Sequence, residues 1–169
     1  MSIYLQIENV VGDCLESKHK GWIVVQSLTE GVEKKVDFDN HNMSSPIISR
    51  PKHQSIVLSK KMCPASPILK QMASEKIPFS FNVNMTKTLS TNSGGIDKTL
   101  TEPVFVQLKY QQAYITQYTL SAFSNMDCEE HIEIFVGAYE MNCIFDQNLE
   151  GATSKNTANY DFLLQKKIS

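Results

Sequence analysis

The sequence predicts a mainly β domain of the α+β kind: an antiparallel β-barrel or two-sheet arrangement carrying one short α-helix at about residues 66–76. Three observations lead there. Apolar residues alternate with polar ones in run after run, which is the two-residue period of a strand with one buried face. Only one stretch has apolar residues at helical spacing, and it follows a Ser-Pro pair of the kind that starts helices. The chain has 169 residues, 41% of them apolar, which is enough for one sizeable core and too little for several. Residues 1–146 are expected to form that single domain and 147–169 a partly ordered C-terminal tail.

The elements follow in order. Ile3, Leu5 and Ile7 alternate with Tyr4, Gln6 and Glu8 and read as a half-buried strand. Gly12-Asp13 closes it, and Cys14–Gly21 is polar and reads as a loop. Trp22–Thr29 is β-branched and aromatic, a second strand, and Val32–Phe38 continues extended. Asp39–His53 holds Pro46, Pro51 and many turn formers, so it reads as a long loop or an extended arm. Two uses fit it equally, a functional loop and a mobile surface loop. Ser55–Ser59 returns to alternation, with Ile56 and Leu58 on one face.

Ser66 before Pro67 fits an N-cap with proline at the first helical position, and Ile68, Leu69, Met72 and Ala73 make the apolar stripe. Pro78 ends that run. Phe79, Phe81, Val83 and Met85 give the cleanest strand signal, and Asn92–Gly95 a turn. Pro103–Phe123 covers two strands around Gln111–Gln112, or one strand with a bulge. His131–Phe145 reads as one strand with apolar groups on both faces, the pattern of a strand covered on both sides. Gly151–Asn159 looks like a loop, and Tyr160–Leu164 like a last strand or a docked tail.

Composition excludes several classes of function. The formal net charge is −2, so no global basic field points to nucleic acid. No apolar run reaches the length of a membrane span. The N-terminus has neither a basic n-region nor a long apolar core, so no cleaved signal peptide is expected. Cys14, Cys63, Cys128 and Cys143 are widely spaced, with no C-x-x-C, and read as free thiols in a cytoplasmic protein. Lys and Arg together number 16, and Arg50 is the single arginine.

Chemistry is sparse. No G-x-S-x-G, P-loop or H-E-x-x-H occurs. His19, in the run KHKGW, reads as a solvated loop histidine. Cys63, after Lys60 and Lys61, is the only cysteine with an electropositive neighbourhood, and it reads as a packing residue or spare thiol far more readily than as a nucleophile. Asp127, Glu129, Glu130 and Glu133 lack the ligand pattern of a calcium loop and read as a solvated turn. No catalytic residue, cofactor or metal ligand is assigned. A domain of this kind is ordinarily a binding or assembly module.

Four stretches carry a resemblance. Glu16–Ser27 (ESKHKGWIVVQS), Val57–Ala73 (VLSKKMCPASPILKQMA), Phe105–Ala122 (FVQLKYQQAYITQYTLSA) and His131–Asp146 (HIEIFVGAYEMNCIFD) resemble, in order and spacing, segments of the haemolysin-coregulated protein family, Hcp. The tail, with NTANYD, is similar to tails of some members. The chain lacks the glycine-rich sequence many members carry near Asp39–His53, and the tryptophan usual in the last strand is replaced near Glu140–Met141.

The resemblance implies a compact β-barrel flanked by one helix and a structural, non-enzymatic role. Subunits would form hexameric rings that stack into the inner tube of a bacterial type VI secretion system. Their partners would be a contractile sheath, a spike protein and secreted effectors. The protein would be cytoplasmic before assembly and then leave through the machine. It also implies an inter-ring stacking loop at Asp39, Asn40, His41, Asn42, Met43, Ser44, Ser45, Pro46, Ile47 and Ile48. Gln107, Lys109, Gln111, Gln117 and Thr119 are the candidates for the channel lining, which should be wet and weakly charged. A phage-type tail-tube protein and a soluble ring-shaped effector receptor are the near alternatives. A small hydrolase using Cys63 or Cys14 with a histidine is the remote one.

Overall fold

The computed structural model describes residues 1–37, 46–87, 104–124, 126–146 and 153–168. In chain order the strands are β1 (Ser2–Ile7), β2 (Ile23–Val25), β3 (Ser27–Thr29), β4 (Val32–Glu33), β5 (Val36–Asp37), β6 (Ile47–Ile48), β7 (Lys52–His53) and β8 (Ile56–Lys61). The helix α1 (Ser66–Ser74) comes next, then β9 (Phe79–Thr86), β10 (Val104–Ser121), β11 (Glu129–Phe135), β12 (Ala138–Asp146) and β13 (Thr153–Asp161). The long strands pair antiparallel in the order β2-β1-β9-β10-β11-β8-β3, and β12 and β13 branch from β10.

β10 organises this sheet. Its first half pairs with β9 on one edge and β12 on the other, and its second half pairs with β11. The register slips between Tyr110 and Ala113 against β9, and between Ile115 and Gln117 against β11. Gln112, at the first slip, has a left-handed backbone (φ 53°). Each bulge bends and twists the strand. The long β-rich stretch is therefore one strand with bulges.

The partner edge breaks at the same level. The expected single strand over His131–Phe145 is two, β11 and β12, separated at Val136–Gly137, where the Gly137 N–H donates to the Gln111 carbonyl (3.2 Å). Two adjacent strands thus bend together, and β8, β10, β11 and β3 fold over β1, β2 and β9. Leu5, Ile23, Ile56, Leu58, Phe81 and Leu108 fill the space between.

Trp22–Thr29 is likewise two short strands instead of one. At Gln26 the chain leaves β1 for β8, and the Gln26 N–H donates to the Ser59 carbonyl (2.8 Å). β2 and β3 are the two ends of the pairing order, so the sheet closes on itself through a corner and not through a complete ladder. The barrel expectation resolves into this two-sheet form. The Gly151–Asn159 loop expectation is also corrected: those residues fall largely within β13, which pairs with β12 from Ala138↔Asp161 to Asp146↔Thr153. Asp161 ends the strand, its side chain accepting from the N–H groups of Leu163 and Leu164. The Asn92–Gly95 turn lies outside the described residues.

The Cys14–Gly21 loop is a tight double crossing. Gly12 N–H meets the Gly21 carbonyl (2.7 Å), Gly21 N–H meets Cys14 (2.9 Å) and Cys14 N–H meets Trp22 (3.0 Å). Gly21 is left-handed (φ 79°), and a Cβ on Gly12 would stand 2.3 Å from the Trp22 carbonyl oxygen. That obstacle is backbone and cannot step aside. Gly12→Ala is expected to cost about 3 kcal/mol, the upper end of common single substitutions. Urea unfolding checks this, and an unchanged midpoint contradicts it.

Candidate assembly surfaces

Among the described residues, 31–37 and 46–53 form an exposed ribbon. β4 pairs with β7 and β5 with β6, with rungs Val32↔His53, Glu33↔Lys52, Val36↔Ile48 and Asp37↔Ile47. This corrects part of the loop expectation: Ile47–Ile48 and Lys52–His53 are strand. Pro46, Ile47 and Ile48 of the expected stacking loop are described, all exposed. Asp39, Asn40, His41, Asn42, Met43, Ser44 and Ser45 lie outside the described residues. Val32, Val36, Ile47 and Ile48 are 49–62% exposed. A lone two-stranded ribbon with apolar groups open to water is marginally stable.

Its root is fixed to the body. The His53 ring, 5% exposed, lies within ring-contact distance of Tyr110, Tyr139 and Phe162 (centroids 6.4, 6.3 and 5.1 Å). Its Nδ1 donates to the Gln54 carbonyl, and Nε2 lies 3.7 Å from Glu30. The Tyr110 hydroxyl donates to the same Glu30 carboxylate. Burial pushes the Glu30 carboxyl up, but the bonds from His53 and Tyr110 outweigh it and hold it below the ordinary value. Tyr110 is pushed far up, by burial first and by the Glu30 charge second. A groove of about 240 Å³ separates Val32, Lys34 and Pro51 of the ribbon from Tyr139, Tyr160 and Phe162.

The five polar residues expected in the channel all face away from the core, on β10. Gln107, Lys109 and Gln111 alternate with buried Val106, Leu108 and Tyr110. Lys109 pairs with Glu140 (3.3 Å), and the neighbouring positions are Asn82, Asn84 and Asn142. Asn142 donates to Glu140 (2.8 Å) and accepts from Thr157 (2.7 Å). Lys109 and Glu140 neutralise each other, and the positions around them are mostly amide and hydroxyl. Gln117 and Thr119 lie beyond the bulges, opposite Glu133 and His131 of β11. They belong to the second sheet, so the structure divides the five residues between two outer surfaces.

The K-K-x-x-x-x-S-P run forms a buried polar cluster. Lys60 and Glu130 are wholly buried partners across β8 and β11, with Nζ and Oε2 2.5 Å apart. Lys60 also donates to the Lys61 carbonyl (2.9 Å), the Ser66 hydroxyl (3.1 Å) and Cys63 Sγ (3.2 Å). The Tyr118 hydroxyl donates to Glu130 Oε1 (2.7 Å). Two expectations change here. Ser66 is not the N-cap: Ala65 holds that place with no side-chain cap, and Ser66 Oγ instead accepts from Lys60 and from the Cys63 N–H (3.0 Å). Glu130 is not in a solvated turn. Burial would raise its carboxyl, but bonds from Lys60, Ser66 and Tyr118 hold it below the usual value.

His19 is a further correction: it is 2% exposed. Its Nδ1 donates to Glu16 (2.6 Å), and its Nε2 accepts from the Asn84 amide (3.1 Å). The ring stacks on Tyr4 (4.3 Å) and meets Trp22 edge-on (4.9 Å). KHKGW is therefore a loop lock tied to β1 and β9. With its ring nitrogens so engaged, and those of His53 directed at Gln54 and Glu30, neither histidine is placed to activate Cys63 or Cys14. Among the described residues no group of His, Cys, Asp and Glu could hold a metal ion, and no helix is long and apolar enough to cross a membrane.

A two-sheet β domain with a stand-off apolar ribbon and a wet, charge-paired outer face is an assembly module. The family model described as "Type VI secretion system effector, Hcp" matches residues 4–142. The chain belongs to the Hcp family, whose members are the ring-forming tube subunits of type VI secretion. Solved structures agree in fold. Hcp1 from Salmonella typhimurium has a TM-score of 0.75 at 17% identity, covering 99% of this chain and 98% of that one. Hcp2 from the same organism gives 0.68 at 20% identity, with 99% and 100% covered. A type VI secretion system effector from Yersinia pestis gives 0.69 at 14%, with 94% and 98% covered. No curated protein matches the chain by sequence.

Removing one partner of the buried pair leaves an uncompensated charge. Lys60→Met is expected to cost about 3–5 kcal/mol, with much of it regained in Lys60→Met/Glu130→Leu. Urea unfolding of the single and double variants checks this; additive losses contradict it. The pH dependence follows from the lowered Glu130 carboxyl. Its stabilisation is complete above the unfolded value, near 4.5, and is lost as pH falls from there through the lower folded value. Glu130→Gln should therefore narrow the stability gap from wild type as pH falls below about 4.5, which acid titration of unfolding reads directly.

Proposed function

We propose that this protein builds hexameric rings whose arm, residues 31–53, bridges one ring to the next. The carrying observation is the ribbon itself: strand rungs with Val36, Ile47 and Ile48 open to water on a root pinned by Glu30 and His53. Among the described residues nothing covers these side chains, and a neighbouring molecule would supply the missing surface. In the same reading the first sheet's outer face, with Gln107, Lys109 and Gln111, lines the channel, where paired charges and amides let cargo slide. Gln117 and Thr119 then look toward the outside or a ring neighbour.

Residues 1–146 form the tube domain and 147–169 an extension that contributes β13 to the sheet edge. The partners are the ring neighbours, a contractile sheath around the tube, a spike at its tip and effectors within it. The subunit waits in the cytoplasm and leaves through the machine, with a structural role and no catalysis.

Deletion of Asn40–Ser49 is expected to leave rings intact and reduce tube formation, read by negative-stain imaging. Tubes of normal length in that variant would sink the stacking role. For the channel, Lys109→Cys should react with a bulky maleimide readily in dissociated subunits and slowly in assembled tubes, followed by peptide mapping. Equal rates in both states contradict the lining.

A further inference from the structure

We propose that Phe123, Met126 and Asp127, between β10 and β11, together with Met62, are the seat on which the arm of a neighbouring copy docks. This rests on the reading of the arm as an assembly element and names the surface it meets.

The first argument is position. β8 pairs with β3 through Val57–Ser59 and with β11 along its whole length. The arm leaves the body at the Ile56 end of β8. The turn lies at the Lys61 end, where the Met62 N–H donates to the Cys128 carbonyl (3.0 Å). The two features stand at opposite ends of one strand, roughly 17 Å apart along it. Head-to-tail contact between copies joins unlike patches, and opposite ends of one element supply them.

The second argument is surface chemistry. Phe123, Met126 and Met62 are 61%, 71% and 53% exposed; the Met126 N–H donates to the Phe123 carbonyl (3.2 Å), and the Met62 bond to Cys128 brings Met62 to the same end. Carboxylates border it: Asp127, which is exposed and paired with Lys61, and the half-exposed Glu129. The arm carries the complement. Ile47 and Ile48 are exposed, and in the sequence of the arm Lys34, Lys35, Arg50 and Lys52 outnumber Glu33, Asp37 and Asp39 by one. Arg50 is the chain's single arginine, is exposed, and makes no ion pair among the described residues. Its planar fork suits a carboxylate rim better than any lysine. An apolar centre with complementary charged borders is the anatomy of a specific protein contact.

The test is a charge exchange in the full-length protein, read by tube yield and length in negative stain and by pelleting. Arg50→Glu alone, and Asp127→Arg with Glu129→Arg, are each expected to lower assembly by about tenfold or more. The triple variant carries both changes and should assemble with itself again. Arg50 and Asp127 are exposed and Glu129 is half-exposed, so unfolding temperatures should stay near wild type.

Normal assembly of the Asp127/Glu129 variant beside a defective Arg50→Glu overturns the seat and leaves the arm's role standing. Normal assembly of Arg50→Glu also overturns the seat, and the arm's role then stands or falls with the Asn40–Ser49 deletion. A triple variant that stays folded yet fails to recover also overturns the pairing. So does a seat variant that keeps its tubes and loses only another component of the machine. Phe123→Ser with Met126→Ser should reproduce the loss without touching charge.

Discussion

The Lys60–Glu130 pair sets the register on which the second sheet depends. The two residues are direct partners across β8 and β11, on the face that also carries Ile56, Leu58, Ile132 and Ile134. A one-residue slip would turn this whole face to solvent, and a two-residue slip would keep it buried but set a charge opposite Leu58 or Ile132. Buried ion pairs add little net stability over an apolar core, so their usefulness lies in making the wrong pairing costly. Here the pair also reaches α1 through Ser66 and β10 through Tyr118. One cluster therefore positions the helix, the strand ladder and the turn that follows.

Two further devices convert this ladder into an assembling subunit. The bulges of β10 and the break at Gly137 lie side by side, so the sheet folds along one line and shows a wet surface on each side of a dry interior. The aromatic and ionic root around His53 then sends the ribbon away from the body instead of letting it collapse onto it. A rigid root with an uncovered apolar ribbon gives a neighbour a preformed element to bind, which lowers the ordering cost of association.

Much of this was legible in the sequence. Period-two alternation marks β1, β8 and β9 because each has one dry face and one wet face. The Ser-Pro pair marks the helix, although its serine serves a buried lysine and not a cap. What composition hides is polar burial. Lys60, Glu130 and His19 look solvated because nothing local reveals partners that lie far along the chain, such as Asn84 for His19. One strand end was hidden at Gln26, where the chain turns a corner without a strong breaker; at Val136 the following Gly137 was the signal that an unbroken strand reading passed over. β13 was missed because its residues, SKNTANYD, are polar; it forms by ladder bonds along β12 and buries little. The arm was visible as irregular sequence, but its strand rungs are short and its pairing depends on the root.

The most direct measurement is the solution mass of the purified chain by light scattering, with negative-stain images of the same peak. A hexameric mass built from the 19.1 kDa chain, with an open-centred ring in the images, is the expected result. A monomer at every concentration, with no rings or tubes, would contradict the assignment of these surfaces to self-assembly.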